Sequence, residues 1–454
     1  MMGESAMQRA NDFDAVVVGL GESGLASACH LAAGGRRVAI LDSRPQPPRE
    51  AELRRRHPEV MVRTGGIDET LIARAAEIVI SPGFDPRHPA IREARRRGQP
   101  VIGEIELFAR SVTAPVMAIT GSNGKSTVTR MLAAMAEAAG VNVAAGGNLG
   151  PAALTLLETR PEAALFILEL SSFQLESTFS LTPQVAAVLN LSPDHLDRYD
   201  SMADYAAAKA RILRGAGQAV LNADDECVRG MADGTLPVSW FSAHGSVEMA
   251  QWRLQRVAGV DWLARDDEPL LRQQDLPAMG RHNALNALAA LAMGEAAGWP
   301  LTPMCRALRA FRPLPHRGER LGVHRHRLWV NDSKATNAAS AAAAVAGMDR
   351  PVLLIAGGDA KGQSFEALAA VLRGRGRAAV VYGRDANDLA AALSPTLPVD
   401  CVSDLDAAVA VAQQRSRPGD VVLLSPACAS LDQYADYRAR GDHFRSLVEA
   451  LADE

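Results

Sequence analysis

The residues from Thr120 to Thr127 read T-G-S-N-G-K-S-T. Gly121 and Gly124 allow the backbone to turn its N–H groups inward, and a helix starting at Lys125 adds the positive end of its dipole. Lys125 would then reach the β/γ-phosphates of a nucleotide, and Ser126 or Thr127 would offer a hydroxyl to Mg²⁺. Ser122 and Asn123 complete the cradle. The apolar run Pro115–Ile119 before it reads as a buried strand, and Val128–Ala139 after it has apolar residues at helical spacing. Ile119 stands where the longer G-x-x-x-x-G-K-[ST] pattern has its first glycine, so the loop is the short form G-x-x-G-K-S.

Other polar clusters also follow short apolar runs. Leu165–Leu168 ends in Glu169, a carboxylate beside the phosphate loop and suited to Mg²⁺. Val185–Leu189 leads into Asn190, Asp194, His195, Asp197 and Tyr199, a polar group in which His195 reads as a site residue. Lys209 falls four residues after Tyr205 on one helical face. His282, Asn283 and Asn286 share a face at the start of an Ala/Leu-rich helix, as a base- or sugar-binding edge requires; helix capping by Asn283 is the other reading. Near the N-terminus Gly19, Gly21 and Gly24 form a G-x-G-x-x-G fingerprint with Asp42 at the usual distance. Alone, that fingerprint suits a dinucleotide oxidoreductase using NAD. Its crevice would take in the 19–24 loop, Ser43, Arg44 and the Ser81–Gly83 turn. In the last third, Leu328–Val330 gives Asp332, Lys334, Thr336 and Asn337; Val352–Ala356 gives Lys361; Val421–Leu424 gives Cys428, Ser430 and Asp432. Cys428 has no histidine near it in sequence and reads as a small packing residue.

Chemistry at the carboxyl ends of strands calls for open, mostly parallel sheets. The expected fold is therefore α/β in three domains: a Rossmann-like domain over 1–103, a central P-loop ATPase-type domain over 104–312, and a second Rossmann-like domain over 313–454. Arg312–Pro315 reads as a linker, and residues 237–279 as a β-rich segment without chemistry. Apolar content of 48% supports large cores, and a net charge of −4 without a basic tract does not suggest a nucleic-acid partner. Five scattered cysteines, a polar N-terminus and no apolar run of membrane length point to a reduced, cytoplasmic chain. Of the 48 Lys and Arg residues only four are lysine: Lys125, Lys209, Lys334 and Lys361. A chain that uses arginine for nearly every surface cation keeps lysine where a compact ammonium, or a modifiable amine, is needed.

Taken together, the blocks ITGSNGKST, GGNLG, LELSSFQLE, DH-x-DRY, H-N-x-x-N, NDSKATN, GGDAKG and LSPACASLD resemble the Mur ligases of peptidoglycan synthesis along nearly the whole chain. The resemblance implies an ADP-forming ligase that joins D-glutamate to UDP-N-acetylmuramoyl-L-alanine through an acyl phosphate. L-Glutamate is the alternative amino acid. It implies that Glu22, Ser23, Ser43, Arg44 and Gly83 contact the uridine nucleotide and that Asn148 touches the muramoyl part. Gly121 to Thr127 would hold ATP with Asn283, Arg317 and Asp332, and Lys334, Thr336, Lys361, Ser430 and Tyr437 would hold the glutamate. Two Mg²⁺ sites are implied, one on Ser126 and Glu169, the other on His195 and a carbamylated Lys209, with Lys125, His195 and Lys209 as the catalytic set. A monomer is expected. Gly318, Tyr437 and Pro193 depart from the family's usual residues without removing a catalytic group.

Overall fold

Runs of valine, isoleucine, leucine and alanine, too short for helices and buried on both faces, form the central strands of three separate sheets. The computed structural model describes residues 12–194, 198–244, 247–277, 280–313 and 315–451. In the first sheet β1 (Ala15–Val18), β2 (Val38–Asp42), β3 (Met61–Thr64), β4 (Ile78–Ile80) and β5 (Val101–Ile102) stand in the order 3-2-1-4-5, all parallel. The crevice between the carboxyl ends of β1 and β4 is the point where that order reverses, the place where such sheets bind ligands.

The second sheet contains β6 (Val116–Thr120), β7 (Val143–Gly147), β8 (Leu165–Glu169), β9 (Val185–Val188), β10 (Gln218–Asn222), β11 (Val238–Ser242), β12 (Trp252–Val257), β13 (Val260–Arg265) and β14 (Glu268–Arg272). Their order is 14-13-12-11-10-9-6-8-7. The last three strands in sequence form an antiparallel extension and lie within the segment 237–279 that the sequence marks as β-rich. Helix Lys125–Ala138 packs beneath this sheet against helices Arg281–Ala296 and Leu301–Ala310. Met131, Leu132 and Met135 meet Leu288, Leu291 and Met304 in that core, all fully buried.

The third sheet, β15 (Glu319–His324), β16 (Arg327–Asn331), β17 (Val352–Gly357), β18 (Gly376–Tyr382), β19 (Val399–Cys401) and β20 (Val421–Leu424), has the order 15-16-20-17-18-19. Only β15 runs antiparallel. The polar clusters after β16, β17 and β20 therefore emerge at one edge, side by side.

Arg198 ties the first sheet to the second. Its guanidinium donates to the Pro82 carbonyl at 2.8 Å and to Glu176 at 3.0 Å, and lies 3.8 Å above the Phe173 ring. The turn after β4 is thus fixed from the central domain. Among the described residues no helix is long and apolar enough to cross a membrane.

Candidate active site

β6 ends at Thr120, and the chain turns through Gly121–Gly124 into the helix at Lys125. Gly124 has φ +85°, and a Cβ there would collide with the Asn286 carboxamide, so the loop requires glycine at that position. Asn190, at the end of the neighbouring β9, braces the loop. Its carbonyl accepts from Ser122 N–H at 2.8 Å, its Oδ1 from Asn123 N–H at 2.8 Å, and its amide donates to the Asn123 carbonyl at 3.1 Å. Lys125 Nζ folds back over the loop, donating to the Gly121 and Ser122 carbonyls at 2.9 and 3.0 Å. Burial pushes its pKa down, and Glu169 partly offsets that.

Glu169 is 2% exposed and both its oxygens are held by polar neighbours. Ser126 Oγ donates to Oε2 at 2.5 Å and Asn148 Nδ2 to Oε1 at 2.7 Å. Arg317 comes from the chain segment leading into β15 and donates to the same Ser126 hydroxyl at 2.8 Å. A hydroxyl and a carboxylate, both hard oxygen donors, therefore face each other at the helix start. This set fits Mg²⁺, which takes one or two protein oxygens and fills its other positions with water and phosphate oxygens. His195 lies outside the described residues. Its sequence neighbour Asp194 is near enough to raise the pKa of both Lys125 and Lys209.

Lys209 is 2% exposed, at the end of helix Met202–Ala210. Its Nζ donates to the Gly121 carbonyl at 2.9 Å and lies 4.7 Å from the Tyr205 ring centre. Burial, then the nearby Lys125 charge, pushes its pKa well below the ordinary lysine value. Both effects raise the share of the free amine, the form that reacts with CO₂, above that of an exposed lysine.

Asn283 does not cap its helix. The cap position is Gly280, and Asn283 Oδ1 instead accepts from Asn286 Nδ2 at 3.1 Å, while its own amide meets His282 at 3.1 Å. On the third sheet, Asp332 at the end of β16 accepts from Gly318 N–H at 3.0 Å and Ser425 Oγ at 2.8 Å. Burial raises its pKa to about 7 against those hydrogen bonds and Arg317. Lys334 Nζ lies 4.1 Å from the Tyr437 ring centre. Burial, with the Arg317 and Lys125 charges, lowers its pKa to about 8. Thr336 is half-buried beside it. Ser430 is buried, and Lys361 is exposed with φ +50°; a bridge between Asp359 and Ala429 holds their two loops together.

Arg440 escaped the sequence reading. It is 1% exposed, and its guanidinium donates to Ser333 Oγ at 3.0 Å, the Ser333 carbonyl at 2.9 Å, and the Gly357 and Cys428 carbonyls at 3.2 Å. One buried cation thus joins the three loops that carry Lys334, Lys361 and Ser430. One of three arginines in helix Tyr437–Ala450, it carries no signal of this in sequence. Cys428 packs at 0% exposure, and burial lifts its thiol pKa to about 12, as the packing role requires.

In the first domain the Asp42 carboxylate, 2% exposed, turns toward the glycine loop. It accepts from Leu20 N–H at 2.7 Å and from the Arg44 backbone and guanidinium at 2.7 to 2.9 Å. Burial alone would raise its pKa, but the Arg44 side chain and the two backbone donors pull it down to about 2. Gly24 is obligatory, since a Cβ would overlap the Gly19 carbonyl. Glu22 is exposed and paired with Arg49, Ser23 is half-buried, and Ser43, Arg44 and Gly83 are exposed around the crevice.

Three family models match in succession: the Mur ligase MurD-like N-terminal domain over residues 13–103, the Mur ligase middle domain over 119–294, and the Mur ligase glutamate ligase domain over 316–428. The chain belongs to the Mur ligase family. Among its curated relatives, the UDP-N-acetylmuramoylalanine–D-glutamate ligase of Nitrosococcus oceani is 50% identical over 438 residues, 96% of each chain. The enzyme of the same name from Pseudomonas aeruginosa is 46% identical, covering 98% of this chain and 99% of its own. Among solved structures, the pseudomurein peptide ligase type C of Methanothermus fervidus has a TM-score of 0.61 at 18% identity, covering 96% of this chain and all of that one. UDP-N-acetylmuramate-alanine ligase MurC of Thermotoga maritima has a TM-score of 0.60 at 19% identity, covering 96% and 99%. These two support the three-domain fold.

Proposed function

We propose that the protein is a cytoplasmic, monomeric, ATP-dependent, ADP-forming ligase that adds D-glutamate to UDP-N-acetylmuramoyl-L-alanine in peptidoglycan precursor synthesis. One observation carries the reading. Arg317 reaches the phosphate-loop hydroxyl of Ser126, which donates to Glu169, so the third domain meets the nucleotide loop. Lys334 lies close enough to feel the Lys125 and Arg317 charges. Nucleotide and amino-acid groups thus share one electrostatic neighbourhood, as transfer through an acyl phosphate requires.

In this reading Lys125, the loop N–H groups and Arg317 stabilise the charge that develops as the substrate carboxylate attacks the γ-phosphate. Ser126 and Glu169 would hold Mg²⁺, which supplies charge neutralisation at the phosphate oxygens. Lys209 as a carbamate would, with His195, hold a second. Asn283, Arg317 and Asp332 would hold adenine, phosphates and ribose. Lys334, Thr336, Lys361, Ser430 and Tyr437 would place the glutamate so that its amine attacks the acyl carbon and phosphate leaves. Asn148 would meet the muramoyl part, and Glu22, Ser23, Ser43, Arg44 and Gly83 the uridine nucleotide. The Asp42 geometry speaks against NAD, because a dinucleotide's ribose needs that carboxylate facing outward, whereas here it braces Leu20 and Arg44. The deciding assay is ADP release. It should require both the UDP-sugar acceptor and D-glutamate, with L-glutamate inactive and NAD without effect. NADH bound tightly and UDP not at all would overturn the first-domain assignment.

A pH effect follows from Lys334. Its ammonium form, which attracts a carboxylate, predominates below about pH 8 and is lost above it. kcat/KM for glutamate is therefore expected to lose an increment above pH 8 that Lys334→Arg, lower in absolute rate but charged throughout, does not lose. Parallel profiles for the two proteins would show that Lys334 does not hold the substrate.

A further inference from the structure

The geometry points to Ser340 as a positioning residue that couples the amino-acid loop to the nucleotide loop. Helix Ala338–Ala346 follows directly after Lys334 and Thr336. In its first turn Ser340 Oγ donates to Asn123 Oδ1 of the phosphate loop at 2.6 Å. The Asn337 side chain caps this turn, accepting from Ser340 N–H at 2.8 Å, and its amide reaches Asp194 Oδ2 at 3.5 Å. Asn123 in turn has its amide 3.4 Å from Ser192 Oγ, two residues before Asp194. One helical turn of the third domain thus docks on both the loop that would cradle phosphate and the loop that leads to the second metal position.

The consequence is mechanical. The Asn123 carboxamide is shared between Ser340 and Ser192, and Asn123 is anchored through its backbone to Asn190. When the Ser340 bond forms, the segment carrying Lys334 and Thr336 acquires a fixed distance from the phosphate loop. When it is absent, both loops keep their own structure, and their mutual register rests on the remaining contacts, Arg317–Ser126 and Asn337–Asp194 among them. Ser340 is expected to touch neither nucleotide nor glutamate, and its effect should appear only when both are bound.

This inference rests on the ligase reading, and the test separates the two. Ser340→Ala removes the hydroxyl, while alanine is the better helix former, so a loss cannot come from the helix itself. kcat/KM for glutamate should fall about fivefold to tenfold, the size of one neutral hydrogen bond. The affinity for a non-hydrolysable ATP analogue without glutamate, measured by calorimetry, should change less than about twofold on the same ground. Ser340→Thr restores the hydroxyl and should restore the rate. In a double-mutant cycle, adding Ser340→Ala to Asn123→Ala should cost nothing further. An Ser340→Ala rate within twofold of the parent, threonine no better than alanine, or losses that multiply in the cycle would each overturn the coupling. A parent enzyme that releases no ADP with both substrates would overturn the ligase reading itself.

Discussion

Replacing Lys209 with arginine is expected to lower kcat at least about a hundredfold, roughly 2.7 kcal/mol of transition-state stabilisation. The argument starts from composition. A chain with four lysines among 48 basic residues does not place one in its interior for charge alone. The Lys209 amine is 2% exposed, directed at the Gly121 carbonyl, and held well below its ordinary pKa by burial and by Lys125. An ammonium there costs desolvation energy and is repelled by the Lys125 charge. A carbamate would turn the repulsion into attraction, presenting to Lys125 and to a metal an anion whose own desolvation they would offset. Arginine stays protonated and cannot form that adduct. It would put a permanent, bulkier cation under the phosphate loop. The parent enzyme in ¹³C-bicarbonate should show a carbamate carbon signal that the variant lacks. Near-normal turnover by Lys209→Arg, or an active parent preparation without the signal, would show that the lysine works unmodified.

Glu169→Gln is the second large effect, with a loss in kcat of about a hundredfold or more and an intact fold. The carboxylate and amide are nearly isosteric, and the Ser126 hydroxyl can rotate to accept from an amide as readily as it donates to a carboxylate. Packing at the end of β8 should therefore survive, and thermal melting should move little. What disappears is the negative charge beside Lys125 and the hard anionic oxygen at the proposed Mg²⁺ position. The Mg²⁺ concentration for half-maximal rate should rise along with the loss in kcat. A rate within about threefold of the parent, only ~0.7 kcal/mol, would remove Glu169 from the metal site.

Much of the fold was legible from sequence because its central strands are buried on both faces. Val116–Thr120, Val185–Val188, Val352–Gly357 and Val421–Leu424 are continuous apolar runs, and such runs followed by glycine and polar clusters admit few other structures. The strands that went unread lie at sheet edges. Met61–Thr64, Val399–Cys401 and Glu319–His324 are largely exposed or half-buried, so they carry no apolar signature and exist because a neighbouring strand offers its ladder. Of Val143–Gly147 only the glycines stand out in the sequence, as the start of the GGNLG block. Its two glycines belong to the strand because Gly146 and Gly147 lie too close to Pro151 and to Glu169 backbone for any side chain.

The candidate site divides in the same way. The sequence by itself marked out the phosphate loop and Glu169 as candidates through local patterns along one element, and the lysines at 125, 209 and 334 through the scarcity of lysine in the chain. Tertiary structure alone decided what those groups meet. That Arg317 reaches Ser126, that Asp42 accepts from Leu20 across the glycine loop, and that Arg440 joins three loops are facts about residues far apart in the chain. A hydrogen bond depends on distance and direction in space, and side chains as common here as arginine and serine leave no trace of their distant partners in the sequence.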